Sequence, residues 1–384
     1  MLKFIINVLF GLLIFINVSY AQYEFSYSGY AANIPIYQQS NQKLSQLFGI
    51  NQNTFINLTR LRLRGALTLW SNARINSEYE ISALYFSSEG NFSLVSENKT
   101  NRQILDLKWA YNNKNNNIVH FIDRLTFRQG FESGNITIGR QRISWGTGRV
   151  WNPTDLFNPI NPMAYYKPEK DGTDAVSITY ALDNFTDINM VYNPQEKLNT
   201  GNYGLRFRTN YNGYDVSLIG GYFDSRVIGG FDFAGNLLEA GIRAEGIISA
   251  DKNKIDDNYI KLILGIDQQF SSKLYGMVEY YFNGQGEMEK QNYKLDKLFT
   301  GEIINLNRNY ICTLISYQVT SLFTTSLTNN INLNDGSGYI GGTGNYSFTE
   351  NLFFTFGMQL TYGLENSEYW HSPNSIYLQV EYYF

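Results

Sequence analysis

Side chains alternate in character along most of this chain. Leu61, Leu63, Gly65, Leu67 and Leu69 share one parity, and Arg60, Arg62, Arg64, Ala66 and Thr68 share the other. A period of two sends successive residues to opposite faces of an extended strand. The pattern recurs between Tyr203 and Tyr211, where Tyr, Leu, Phe, Thr and Tyr alternate with Gly204, Arg206, Arg208 and Asn210. It recurs again from Ile260, from Leu274 and from Leu352, with Gly, Asn, Asp and Ser clusters between the segments. A strand that is apolar on one face and charged on the other can cover a sandwich core or separate lipid from water. Three features favour the second reading. The segments run to about ten residues, the span of a tilted strand across a bilayer. Tyr and Phe gather at segment ends, as interfacial girdles require. The opposite faces carry charges that a dry core cannot hold unpaired. The expected fold is all-β: a transmembrane antiparallel β-barrel, with a secreted multi-sandwich protein as the competing architecture.

Composition agrees. Charged residues are 17% of the chain, against about 25% in soluble domains. Aromatic residues reach 16%, with 30 Tyr and 26 Phe. The mean hydropathy of -0.29 is too low for a bundle of membrane helices, whereas a barrel hides its lipid contacts in every second residue. A single cysteine excludes an internal disulfide framework and a zinc site built on paired cysteines. The net charge of -4 gives no nucleic-acid footprint.

Residues 1–21 read as a signal peptide. Lys3 supplies the positive start, Phe4 to Val18 the apolar stretch, and Ser19-Tyr20-Ala21 a small-x-small cleavage site. Residues 22–384 are then expected to form a single barrel domain, exported to the bacterial outer membrane and bathed in its lipid.

Nineteen candidate strands can be read between 23–32 and 376–384. Bacterial single-chain barrels have even numbers, so about eighteen strands are expected, with sixteen and twenty as neighbouring counts. The conflict lies before residue 112: either 23–32 is not a barrel strand or another strand hides in 88–102. Turns such as Asp183-Asn184, Asn212-Gly213 and Ser271-Ser272 fall on the periplasmic side, and the long connections 284–308 and 363–375 fall outside.

One connection differs from the rest. Pro153, Pro159, Pro162 and Pro168 are four of the seven prolines and all lie between the strands 135–145 and 173–182. Proline lacks the ladder donor and steers its predecessor away from helix. The segment is neither strand nor helix, yet it carries Trp145, Trp151, Leu156 and Phe157. Apolar residues on a long loop seek burial, so this loop is expected to fold inward and narrow the lumen. A compact cap outside the barrel is the alternative.

Ile376, Leu378, Val380, Tyr382 and Phe384 alternate up to the terminal residue. This ending resembles the C-terminal signature of bacterial outer-membrane proteins, which implies recognition by the barrel-assembly machinery and no domain after the barrel. The stretch Gly139-Arg140-Gln141-Arg142-Ile143-Ser144-Trp145-Gly146, followed by Asn152-Pro153-Thr154-Asp155, resembles a motif of porin-like families, among them the alginate-export-like barrels. Glu279-Tyr280-Tyr281-Phe282-Asn283-Gly284 has a similar flavour. The resemblance covers about twenty residues, beyond which only the general barrel pattern matches. It implies a passive channel for small hydrophilic or anionic solutes, or for a polysaccharide. The motif marks Arg140, Arg142, Trp145, Gly146, Arg149, Asn152, Pro153 and Asp155 as constriction-loop residues.

The polar faces describe the lumen. Arg60, Arg62 and Arg64 lie in a row, and the next strand offers Glu78 and Glu80 beside them. Opposed unlike charges hold a sheet together by about 0.2–1 kcal/mol each, so this row has a structural reading as a charge ladder. Its functional reading is a basic strip that draws anions into a channel whose walls focus the field. Arg124, Arg128, Arg206 and Arg208 extend the strip, and Glu239, Glu245 and Glu279 oppose it. The signs nearly cancel, which predicts a weak anion preference. The parity of Arg140 and Arg142 conflicts with that of Ile136 and Ile138 unless a bulge lies near Gly139.

Catalysis has little support. His120 shares parity with Arg124 and Arg128 and is expected to face the lumen, His371 lies in a late loop, and no G-x-S-x-G elbow is present. No metal-ligand cluster or cofactor motif stands out. A diffusion channel is therefore the leading reading, a barrel scaffold for surface polysaccharide the second, and an outer-membrane hydrolase the third.

Overall fold

The computed structural model describes residues 23–49, 51–87, 102–158, 169–195, 201–251, 255–295, 298 and 303–384. The segment 1–21, read as a signal peptide, lies outside them, as do most of 88–102 and the loop prolines at 159, 162 and 168.

Among the described residues nineteen strands follow one another: β1 (Glu24–Gln39), β2 (Asn53–Trp70), β3 (Ala73–Phe86), β4 (Lys108–Asn112), β5 (Asn116–Phe131), β6 (Gly134–Gln141), β7 (Thr173–Ala181), β8 (Asp187–Asn193), β9 (Asn202–Tyr211), β10 (Tyr214–Phe223), β11 (Arg226–Leu237), β12 (Ala240–Ala250), β13 (Tyr259–Gln269), β14 (Leu274–Asn283), β15 (Asn309–Gln318), β16 (Phe323–Asn332), β17 (Gly338–Ser347), β18 (Leu352–Tyr362) and β19 (Asn374–Tyr383). Consecutive strands pair antiparallel except β3 and β4, and β1 closes the sheet against β19, with Tyr30 opposite Tyr383. Closure joins the first stave to the last, the condition for crossing lipid with strands.

The barrel has eighteen staves, because β3 pairs directly with β5 over Ala73–Tyr85 and β4 is a half-length addition. The surplus strand is therefore not the first segment; among the described residues it is the end of 103–112, and 88–101 lie outside them. Its cause is geometric. β6 covers only Leu125–Phe131 of β5, leaving the far half of β5 with an open edge that β4 pairs through Asn117–Phe121. The first strand also runs past its expected end at residue 32. Pro35 hides the continuation in the sequence, and it stands where pairing to β19 lapses between Asn33 and Ile36, so its missing N–H breaks no bond.

Connections β2–β3, β5–β6, β7–β8, β9–β10, β11–β12, β13–β14, β15–β16 and β17–β18 are tight and lie at one end with Phe384, whose N–H and C=O pair with Gly29. The opposite end carries longer segments, among them a helix, α1 (Gln42–Phe48), capped by the Asn41 side chain and closed by Gly49 in the left-handed region. We call these the turn end and the loop end. Leu63, Leu205, Leu218, Leu264, Ile315 and Leu360 stand exposed on the outward parity, forming the apolar belt.

One bulge reverses an expectation. Pairing between β3 and β5 jumps from Glu78–Arg124 to Tyr79–Ile122, leaving Asp123 unopposed. The extra residue flips parity toward the loop end, so His120 faces outward rather than into the lumen. Its Nδ1 lies 3.0 Å from the Tyr79 hydroxyl and its ring stacks on Trp109 at 5.1 Å.

Candidate functional site

The connection between β6 and β7 enters the barrel. β6 stops at Gln141, and the chain turns inward over residues 142–158. Ile143, Trp145 and Phe157 bury against inward residues of β7, β8 and β10–β12, including Val191, Ile219, Phe223 and Ile247. Trp151 buries in a second cluster with Ile263, Tyr281 and Tyr310, stacking on Tyr281 at 5.2 Å. The indole N–H groups are satisfied too, Trp145 donating to Asn189 and Trp151 to Asn305. Gly204 makes room, since a Cβ there would stand 2.5 Å from the Trp145 ring.

Two acids of the wall hold the loop by its backbone. Glu279 accepts the N–H groups of Arg149 (2.8 Å), Val150 (3.0 Å) and Trp151 (2.8 Å). Glu245 accepts from the N–H groups of Thr147, Gly148 and Thr154 and from the Thr154 hydroxyl at 2.7 Å. Each carboxylate is buried and fully used by donors. Gly146 has φ +93° and passes so close that a Cβ would meet Glu245 Oε1 at 2.7 Å. Glu245 and Glu279 are thus anchors of the loop and not counter-charges of the arginines. Of the remaining loop residues, Arg142 and Arg149 are exposed, Asn152 turns the chain by accepting the Asp155 N–H, Pro153 is buried, and Asp155 pairs with Lys170.

The arginine row is compensated more fully than the sequence predicts. Register places Arg62 opposite Glu80 and Arg64 opposite Glu78. Arg60 pairs with Glu80 at 3.0 Å, and Arg62 pairs with Glu78 (2.7 Å), Glu80 (2.8 Å), Glu169 (2.7 Å) and Asp123. Arg64 reaches Glu169 and Glu78, and Arg124 pairs with Asp123 at 3.0 Å. Four guanidiniums thus face four carboxylates, which leaves this row no net positive charge. Asp123, delivered by the bulge, and Glu169, delivered by the loop, have no signal in local alternation. Oxygens of Glu78, Asp123 and Glu169 lie within 4.8 Å of one another, the spacing of a cation site, but the Arg62 guanidinium binds all three.

Elsewhere the wall is mixed. Arg208 pairs with Asp187 at 2.5 Å, and Arg206 lies 3.9 Å from the same acid with its guanidinium over the Trp145 ring. Arg128 is exposed and stands directly opposite Arg74, with no ion pair to either among the described residues. Glu239 sits exposed in the β11–β12 turn, outside the lumen, because β11 extends to Leu237. Arg140 is not luminal either. The ladder runs unbroken through Gly139, so no bulge resets it. Arg140 keeps the parity of Ile138 and buries in a seam, bonded to Asp174 (2.8 Å) and the carbonyls of Ile122 and Leu105.

A buried acid also ties the loop-end segments. Glu368 accepts from the Leu306 N–H (3.0 Å), the Tyr310 hydroxyl (2.6 Å) and the Asn332 amide (2.7 Å). Burial pushes its carboxyl up to about 7. A carboxyl raised this way keeps its proton in the packed state, so packing is favoured at low pH. That advantage is lost between the ordinary carboxyl range and about 7. Exchange of the Leu306 amide, corrected for intrinsic rate, should be more protected at pH 5 than at pH 8. Glu368→Gln should remove the difference.

No protein-family model matches the chain, and no curated protein matches it. Solved structures do. The chain is similar to OccAB4 of Acinetobacter baumannii (TM-score 0.57, 9% identity, 96% of this chain and 100% of that one). It is similar to OccAB3 of the same organism (TM-score 0.56, 10% identity, 94% and 99%). It is also similar to OccD3 (OpdP) of Pseudomonas aeruginosa (TM-score 0.53, 10% identity, 94% and 91%). The fold is shared with these proteins across nearly the whole chain. At such identities the likeness is one of architecture, with near-complete mutual coverage as its content.

Proposed function

We propose that the chain is a passive channel of the bacterial outer membrane for small hydrophilic solutes, with a mild preference for anions. The observation that carries this reading is the loop at 142–158, pinned by Glu245 and Glu279 inside a closed barrel whose inward faces are polar. A scaffold needs no constriction suspended within its lumen, whereas a sieve does. Anion preference rests on a narrower basis than the whole arginine row. Arg60, Arg62, Arg64 and Arg124 are neutralised by their acids, so they hold the wall. Among the described arginines, Arg74, Arg128 and Arg142 are exposed without an ion pair and are left to act on a solute. The kinship with alginate-export-like barrels implied by the Gly139–Gly146 motif belongs to this reading at the level of a channel, without its polysaccharide. Recognition of β19 and Phe384 by the barrel-assembly machinery belongs to it as well.

Purified protein in planar bilayers should give discrete conductance steps, and a membrane that stays sealed at every voltage would reject the channel. Under a KCl gradient the zero-current potential should take the anion-selective sign. Arg74→Glu with Arg128→Glu should move it to the cation-selective side, because the pair lies opposed and unneutralised near the turn end.

A further inference from the structure

Trp151 of the constriction loop is held from the loop end of the barrel as well as by Glu279. Its indole N–H donates to Asn305 Oδ1 at 3.1 Å, and its ring packs against Tyr310 with centroids 6.0 Å apart. Both partners are fastened to one carboxylate. Asn305 Nδ2 donates to Glu368 Oε1 at 3.5 Å, and the next residue, Leu306, donates its N–H to the same oxygen at 3.0 Å. The Tyr310 hydroxyl donates to Glu368 Oε2 at 2.6 Å. Tyr369, the neighbour of Glu368, belongs to the apolar cluster that buries Trp151. Glu368 itself opens a short 3-10 turn, Glu368–His371, in the β18–β19 connection. A single residue on each route thus separates an acid at the loop end from the loop inside the lumen.

The surroundings do not neutralise this acid. Asp335 faces it from the β16–β17 connection, its Oδ2 accepting the Glu368 N–H at 2.8 Å. Among the described residues neither carboxylate has an ion pair. The Tyr293 hydroxyl donates to Asp335 at 2.8 Å. Tyr310 and Cys312 on β15, Tyr339 on β17 and Tyr369 complete the titratable surroundings, and phenols and thiols are ordinarily uncharged at neutral pH. Burial pushes His371 below its ordinary value, so it too is uncharged there. Ionising Glu368 therefore sets a second negative charge in a buried site, and a turn that swings out to water relieves it. Such a swing carries off the acceptor that holds Asn305, Leu306 and Tyr310.

We propose that Glu368 is a remote positioning residue of the constriction, holding Trp151 through Asn305 and Tyr310, so that the aperture widens when the loop end meets alkaline water. The inference rests on the channel reading for its electrical consequence only; the coupling between Glu368 and Trp151 is a property of the folded chain.

Amide exchange on the detergent-solubilised full chain, corrected for intrinsic rate, tests the coupling at pH 5 and pH 8. Protection of the Trp151 amide should fall with rising pH, by at least about threefold more in the unaltered chain than in Glu368→Gln, a fraction of what the rise of the Glu368 carboxyl from 4.5 to about 7 can supply. The glutamine variant is the reference because Glu279, which accepts the same amide, also titrates. Asn305→Ala should keep the response of the Leu306 amide and reduce that of Trp151. In planar bilayers the conductance steps should be larger at pH 8 than at pH 5, and Glu368→Gln should hold them near the pH 5 size. A Trp151 amide equally protected at both pH values, or a response undiminished in folded Glu368→Gln, would overturn the coupling. The comparison on the unaltered chain stands even if a variant fails to fold. Steps of one size at both pH values reject this inference alone, and a sealed membrane with a responsive Trp151 amide rejects the channel alone.

Discussion

Glu245→Ala combined with Glu279→Ala should give larger and noisier conductance steps, in a barrel that still assembles. The two carboxylates together receive six loop N–H groups and one hydroxyl. Hydrogen bonds to charged groups contribute about 1.5–3 kcal/mol each in buried settings. In a wet lumen the freed N–H groups regain water, so only part of that is lost. About 1.4 kcal/mol already changes the ratio of docked to undocked loop tenfold, and several such bonds disappear together. Trp145 and Trp151 still tether the loop through their apolar clusters, so the expected trace flickers between states. Glu245→Gln and Glu279→Gln keep the shape but set an amide N–H against backbone donors, and should lie between wild type and the double alanine variant. A correctly folded double variant with unchanged conductance would show that the loop does not set the aperture.

Arg62→Ala has the largest expected effect on stability. Arg62 is 1% exposed and binds Glu78, Glu80, Asp123 and Glu169. Removing one partner of a buried ion pair costs about 3–5 kcal/mol, because the other charge is left uncompensated. Here four carboxylates lose a shared counter-ion at once. Denaturant or thermal unfolding of the refolded barrel should show a marked loss at neutral pH. Acid should restore part of it by protonating the orphaned carboxylates. Arg62→Lys keeps the charge but not the planar fork, and should recover only a fraction. By contrast, Arg128→Ala removes an exposed cation without an ion pair and should leave stability nearly unchanged.

The staves were legible because alternation is a local property. Leu61 to Leu69, Leu352 to Tyr362 and Ile376 to Phe384 read as strands in sequence and are strands in the structure, except for the terminal Phe384. The inward course of the loop was legible for a similar reason, since Trp145, Trp151 and Phe157 on a proline-rich connection have nowhere else to bury. Partners were far less legible. The residue that flips His120 is a bulge at Asp123, and nothing in the period-two pattern marks it. Glu245 and Glu279 look like luminal acids facing arginines until the loop backbone arrives from a hundred residues away. Glu169 joins Arg62 and Arg64 by the same long route. Arg140 followed the simple parity after all, and the pocket under residues 102–107 that shelters it comes from the half-length strand β4 and its approach. Ligands to a charge are a tertiary fact, while the side it faces is nearly a local one.

The manner in which the inner loop is held has an evolutionary consequence. Its fastenings to Glu245 and Glu279 are almost all main-chain amides, a group that every residue except proline possesses. Side chains at Thr147, Arg149 and Val150 can therefore be exchanged without unfastening the loop. Descendants of this gene could retune which cargo is welcomed while the bore stays constant, with only a proline in that stretch or the loss of an acid on the opposite wall changing both at once.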